Sequence, residues 1–504
     1  MGVRPGSTVV EGSRQLGVSR PPLDVADLPT PEEVFGVRRL GFKETLRYAV
    51  GPSLIALGVS IGSGEWLLGP AAIGAGGFRG LAVFAFGSIV FQAFYNMEIA
   101  RYVTATGEVP IIGFGRVPPG YLLWVPLALF CLYLTFALGG WAAAAGQGLY
   151  TIITGEAAAG SSEPVRLIAI GLIVVVVVLT MLAKKVSRAL ELANWIMVVI
   201  ILAFLILATL FIVSPSMFVS GVAGFLTPAL PPPGTTAASI GGLVGFAAMS
   251  SGMNWYLMGH YRDKGYGMGS RVGYIAGLRG ERQEVRSTGV TFPDDERNAA
   301  VWKRWMHFLR IDIWGVFFIG ALLGMLLPVL LVTELAARTG TAPSPENIAT
   351  FAGVALGQLF GSTMFYLALF VGVLILFSTQ LGIFEALVRN TADAVTALSS
   401  RLRDRIEGDP RRFYFSYMIV LGIVISIIIH LALPVRLVQL SANMANLGAL
   451  LFPFALIYLN RRLPEAARPP AYTTPLLILF AVFFGFFFVN FVAETFFGQA
   501  LVQF

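Results

Sequence analysis

The sequence predicts an all-α integral membrane protein of about eleven spans, arranged as two five-helix inverted repeats plus one extra helix. Three observations predict it. The 504 residues are 56% hydrophobic and 12% charged, where soluble domains carry roughly 25% charge. Apolar runs of about 20 residues recur, each long enough for a hydrocarbon core of about 30 Å. The first and sixth runs are each interrupted by a polar knot. A spacing of five spans puts the two broken helices at matching places in the two repeats, with a site between them.

In chain order, 1–43 reads as a disordered cytoplasmic tail, with Gly and Pro recurring and no sustained apolar period. Its end, 35–43, reads as a short amphipathic lead-in at the membrane surface. The first repeat fills 44–214, with spans near 45–74, 80–104, 120–150, 164–183 and 190–214. An extracytoplasmic loop rich in Pro and Gly follows at 215–236. The second repeat fills 237–460, with spans near 237–261, 308–332, 352–388, 413–433 and 435–459. Within it, 262–304 reads as a solvated cytoplasmic loop. The segment 461–504 holds the last span, near 473–497, and the C-terminus. These boundaries carry errors of about 2–4 residues.

Charge sets the orientation. With the N-terminus cytoplasmic, 30 of the 35 Lys and Arg fall in cytoplasmic segments. Only Arg79, Arg166, Arg338 and Arg436 fall on the other side, and Arg310 sits at the mouth of the seventh span. That split follows the positive-inside rule and predicts a cytoplasmic-membrane protein with its C-terminus outside. The net charge of +7 therefore belongs to membrane orientation, and no nucleic-acid partner is expected. The single cysteine, Cys131, excludes an internal disulfide. No cleavable signal peptide is read at the start. Walker A, nucleophile-elbow and HExxH signatures are absent, so neither an enzyme nor a cofactor is predicted.

The knots carry the chemistry. Gly62-Ser63-Gly64-Glu65-Trp66 places a carboxylate at mid-bilayer depth, where an acid costs about 2.5–3.5 kcal/mol on insertion scales and reads as functional. Ser250-Ser251-Gly252-Met253-Asn254-Trp255 interrupts the sixth span. Unwound backbone frees carbonyls that can coordinate a cation. Glu65 is the expected charged ligand. Ser63 and Ser251 would add hydroxyls, Asn254 an amide, and Gly62 and Ala248 backbone carbonyls. Trp66 and Trp255 would wall the pocket, although helix packing accounts for both equally well. Met253, Asp312, Gln380 and Asn443 complete the candidate pocket or pathway. Asp312 reads either as a mouth-region partner of Arg310 or as a gating group. Asn443 and Asn446 share one face of the tenth span and read as amides that bridge helices or line a path. Glu98 and Arg101 read as a helical ion pair, Glu385 as near the cytoplasmic surface and Glu494 as interfacial.

These residues resemble the Nramp (natural resistance-associated macrophage protein) metal-ion transporters over about 45–460. Gly51-Pro52 and the Gly/Ala-rich end of the first span are similar to that family's first helix, with Gly62-Ser63-Gly64-Glu65 where it reads D-P-G-N. Arg101 through Glu108, Ser251 through Leu257, Arg310-Ile311-Asp312 and Ser378-Thr379-Gln380 also match family motifs. The resemblance implies a LeuT-type fold and divalent-cation uptake. The departures carry information too. The family's metal-binding Asp falls on Gly62, its Asn on Glu65, its thioether ligand on Ser251 and its histidine on Met253. The acid of its third helix has no counterpart in Leu138 to Ala143. Loss of the thioether leaves oxygen donors, which suit Mg²⁺, Ca²⁺ or Mn²⁺. The family's route of proton coupling is in doubt, with Glu65 the remaining candidate carrier. The first reading is thus a secondary transporter of a hard divalent cation working by alternating access. The alternatives are the same fold moving a small organic solute, and a transport-dead sensor.

Overall fold

Backbone polar groups inside a bilayer must pair within their own segment, so a spanning chain of this composition folds as helices. The computed structural model describes residues 23–39, single positions between 41 and 58, and then 60–62, 64–157, 159–182, 186–249, 252–273, 289–398 and 411–504. Among the described residues, eight helices are long and apolar enough to cross a membrane. Shorter apolar helices at Pro215–Leu226, Ala237–Phe246, Ile348–Phe360 and Phe413–Ile428 complete the bundle. Side chains such as Leu210 and Phe211, 72% and 83% exposed, form a lipid-facing belt.

Both expected interruptions are present. In the first span the chain turns at Ile61-Gly62 and resumes as a π-helix, Gly64–Leu68, then as Gly69–Gly76. In the sixth, Ala237–Phe246 ends, and Met253–Asp263 begins after Gly252 at φ +101°. A third break stands where the sequence reads one span near 120–150: Tyr121–Phe136 and Gly140–Thr154 meet at Gly139, which is left-handed.

Other segments differ from expectation for local reasons. The supposed eighth span, 352–388, merges two helices, because Gly361 at φ +87° ends Ile348–Phe360 and Ser362–Leu398 starts afresh. The supposed loop 215–236 begins as the helix Pro215–Leu226, with Ser214 capping its N-terminus and Pro215 in the first turn. The supposed solvated loop 262–304 contains the start of Glu296–Arg310, which runs without interruption into the seventh span.

The tail is ordered in its described part. Asp24–Val25 pairs in parallel with Val290–Thr291. Thr30 and Glu33 close a capping box on Pro31–Phe35. Residues 1–22 lie outside the described residues. The face of the bundle carrying this segment is called inner below, and the opposite face outer. At the outer face the C-terminal residues return to the start of the sixth span. Ala237 N donates to Val502 O at 3.1 Å, and Phe504 N donates to Thr235 O at 3.0 Å.

Candidate functional site

The two breaks meet at Glu65. Gly64 makes the approach possible, since a Cβ there would lie 2.0 Å from Phe246 O. Glu65 sits in the first turn of the resumed helix, where the positive end of the dipole favours a carboxylate. Its side chain is completely buried. Oε1 accepts from Ala248 N at 2.8 Å and from Ser60 Oγ at 3.4 Å, and Oε2 accepts from Gly62 N at 3.3 Å. One carboxylate thus accepts backbone N–H groups from both breaks. Among the described residues no Lys, Arg or His pairs with it. Ala248 is held at φ +72°, the left-handed region that a residue with a Cβ rarely adopts.

The expected carbonyl donors fare differently. Gly62 O already accepts from Trp66 N at 2.8 Å. The end of the outer half of the sixth span is held by Ser88, whose Oγ donates to Val244 O at 2.8 Å and to Ala247 O at 3.4 Å. Ser63 and Ser251, the expected hydroxyls, lie outside the described residues.

Asn254 opens the inner half of the sixth span and is fully buried. Its Nδ2 donates to Gln92 Oε1 at 3.0 Å and to Asn96 Oδ1 at 2.6 Å, while its Oδ1 has no hydrogen-bond partner. Sequence reasoning missed Gln92 and Asn96. Their signal was a pair of amides four apart, hence on one face of the second span. Asn96 Nδ2 also lies 4.0 Å from Met249 Sδ. The break therefore does carry a thioether, two residues before Ser251. Met253, at the start of the inner half-helix, is a second buried thioether side chain.

The two tryptophans do not form one wall. Trp66 packs on the long eighth helix, its ring within 3.1 Å of the Cβ position of Gly372. Trp255 belongs to another cluster, 4.4 Å from the Phe452 ring and 5.2 Å from Phe114, with Nε1 donating to Tyr95 at 3.4 Å. The aromatic wall over the breaks comes instead from the third span. Phe136 stacks on Phe246 at 6.1 Å, and Trp141 lies 5.6 Å from the same ring.

Gln380 and its neighbours act as brackets. Gln380 Oε1 accepts from Ala142 N at 3.1 Å, holding the second half of the broken third span. Ser378 Oγ donates to Gly58 O at 2.8 Å, satisfying a carbonyl near the end of the first half of span one. Asp312 is buried in a second π-helical segment, Ile311–Phe318. Its carboxylate accepts from Tyr261 of the sixth span, and its backbone O accepts from Ser53 Oγ at 3.1 Å. No ion pair with Arg310 forms among the described residues. Asn443 lies in the helix Pro434–Asn460. It lines an outer cavity of about 270 Å³ with Ser239, Arg436, Gln439 and Glu494.

A second set of buried acids lies at the inner end. Arg389 donates to Asp263 Oδ2 at 2.6 Å and to Glu385 Oε1 at 2.7 Å. Arg262 donates to Asp263 at 3.4 Å and to Asp393 at 3.3 Å. Glu385 is thus buried in an ion network, not at a surface. Glu98 and Arg101 form the expected pair at 3.0 Å. Among the described residues, no three His, Cys, Asp or Glu side chains are grouped to hold a metal ion.

Comparison with solved structures places this architecture. Two single-site mutants of the Eremococcus coleocola manganese transporter each match at TM-score 0.54 and 14% identity, covering 95% of this chain and 92% of that one. The fold is Nramp-like. A further structure of that transporter, in complex with an aromatic bis-isothiourea substituted compound, matches at TM-score 0.52 and 13% identity, with 92% and 91% covered. At this identity the likeness is one of fold. No family model matches the chain, and no curated protein matches it by sequence.

Proposed function

We propose that this chain is a secondary carrier that moves a divalent metal cation across the cytoplasmic membrane by alternating access. Glu65 is its charged ligand. The observation that carries the reading is the position of that carboxylate. It is buried between the two breaks, it accepts from Gly62 N and Ala248 N, and among the described residues no cationic side chain pairs with it. A lone buried carboxylate is costly unless a positive charge joins it. Asn254 Oδ1, without a hydrogen-bond partner among the described residues, and the Met249 thioether would add neutral donors. Oxygen donors with one thioether suit Mn²⁺ at least as well as Mg²⁺. With no second acid grouped with it among the described residues, Glu65 would also take any coupling proton. The N-terminus is placed in the cytoplasm and the C-terminus outside. The proposal includes no enzymatic step and no nucleic-acid partner.

A second reading, a small organic solute as cargo, is favoured by the donors left over. Among the described residues Trp66 Nε1, Trp141 Nε1 and Gln380 Nε2 are buried without hydrogen-bond partners, and they suit a solute that carries acceptor oxygens. Isothermal titration of the purified protein with Mg²⁺, Mn²⁺ and Ca²⁺, beside Glu65→Gln, separates the two. Saturable binding that Glu65→Gln abolishes supports the metal reading. A folded protein that binds none of the three at millimolar concentration moves the search to organic solutes.

A further inference from the structure

We propose that residues 23–39 are a latch that holds the inner gate shut, with Phe35 as its bolt. The Phe35 ring stacks on Tyr48 at 4.6 Å and lies 5.8 Å from both Tyr266 and Trp305, and 5.4 Å from Phe308. Those four rings belong to three different spans. Tyr48 stands at the start of the first, Tyr266 follows the inner end of the sixth, and Trp305 and Phe308 lie on the helix that becomes the seventh. Tyr266 also donates to Tyr48 O at 2.7 Å. One side chain therefore fastens the inner ends of both broken helices to the seventh span.

The segment is anchored along its length. Its strand pairs with Val290–Thr291. Leu28 is fully buried, with its N donating to Asn298 Oδ1 at 2.9 Å. Trp305 Nε1 donates to Pro29 O at 2.8 Å. Asp27 pairs with Arg297 at 2.9 Å, and Glu32 pairs with Arg304. Immediately behind the bolt, Tyr261 packs on Tyr266 at 4.7 Å and donates to Asp312, whose backbone O accepts from Ser53. Ser53, Tyr261 and Asp312 are all completely buried. If the carrier opens inward by separating the first and sixth spans, this cluster must part, and the latch must let go first. Its aromatic contacts supply the strength, while its exposed ion pairs weaken with salt. The latch is therefore expected to loosen as ionic strength rises.

The purpose of the latch rests on the carrier reading, so the test reads conformation and not transport. Ser53→Cys is introduced into the full chain with Cys131→Ala, and its labelling by a membrane-impermeant maleimide is timed. Phe35→Ala is expected to raise the labelling rate about tenfold or more, as a minor open state becomes populated. Glu32→Arg, at the edge of the segment, is expected to give a smaller rise that Arg304→Glu reverses. This second pair decides the matter if Phe35→Ala does not fold. Unchanged labelling in variants whose residues 23–39 have become sensitive to protease would overturn the latch. Faster labelling in a protein that transports nothing would leave the latch standing and remove the carrier reading.

Discussion

Glu65 and the inner network of Asp263, Glu385 and Arg389 are both buried acid sites, yet they are built on opposite plans. Asp263 and Glu385 share the Arg389 guanidinium at 2.6 and 2.7 Å, and Arg262 adds a second cation. Among the described residues Glu65 accepts from a hydroxyl and two backbone N–H groups and pairs with no cation. Burying a carboxylate is unfavourable in both places. At the inner end the structure offsets that cost internally, so the charges serve to hold the sixth and eighth spans together. At the breaks, among the described residues, no cationic side chain does the same, which is the contrast the proposed cation site rests on.

Four substitutions would break or sharpen this contrast. The largest effect is expected from Glu65→Gln. It keeps the shape and an oxygen for Ala248 N but removes the charge. Cation binding measured by titration should vanish while the melting temperature holds or rises, and binding that survives would place the cation elsewhere. Arg389→Met should do the reverse, costing about 3–5 kcal/mol because Glu385 loses its cation and Asp263 keeps only the longer contact with Arg262. Thermal unfolding reads this, and replacing Asp263 by Asn and Glu385 by Gln alongside it should recover most of the loss. A variant that melts like the parent would show that the two sites do not differ as described. Gly64→Ala comes next. Its methyl would meet Phe246 O, so a cost of about 1–3 kcal/mol is expected, together with weaker cation binding as the breaks are pushed apart. Ser88→Ala should be mildest, about 1 kcal/mol from a lost hydrogen bond at the end of Ala237–Phe246. A chemical denaturation midpoint is enough to detect it.

Much of this was legible in the sequence, and what was not has physical reasons. The breaks at Gly62 and Gly252 were visible because a charge or amide inside an apolar run has few explanations. The break at Gly139 was not, because Leu138-Gly139-Gly140-Trp141 contains nothing polar and a glycine pair also fits close helix packing. Trp66 and Trp255 follow their knots at matching positions, which suggested a shared pocket. The π-turn at Gly64–Leu68 changes how the first helix is rotated, and sequence spacing does not encode that rotation. Gln92 and Asn96 were overlooked since attention went to charge, although their four-residue spacing marks one buried face. The ordered part of the tail carried its own sign in Thr30-Pro31-Glu32-Glu33, a capping box beside a proline, but its partners lie some 270 positions away in the chain. No local pattern reports such a contact.

The return of the C-terminal residues to the sixth span has a practical consequence for handling the protein. Val502 and Phe504 exchange backbone hydrogen bonds with 234–237, at the mouth of the outer half-helix that ends beside Glu65. An affinity handle fused directly after Phe504 would pull on that half-helix, and one placed next to Asp24 would disturb the opposite face. The exposed turn at 155–157 joins neither region. A label or purification tag inserted there would report on the protein without leaning on either of these contacts.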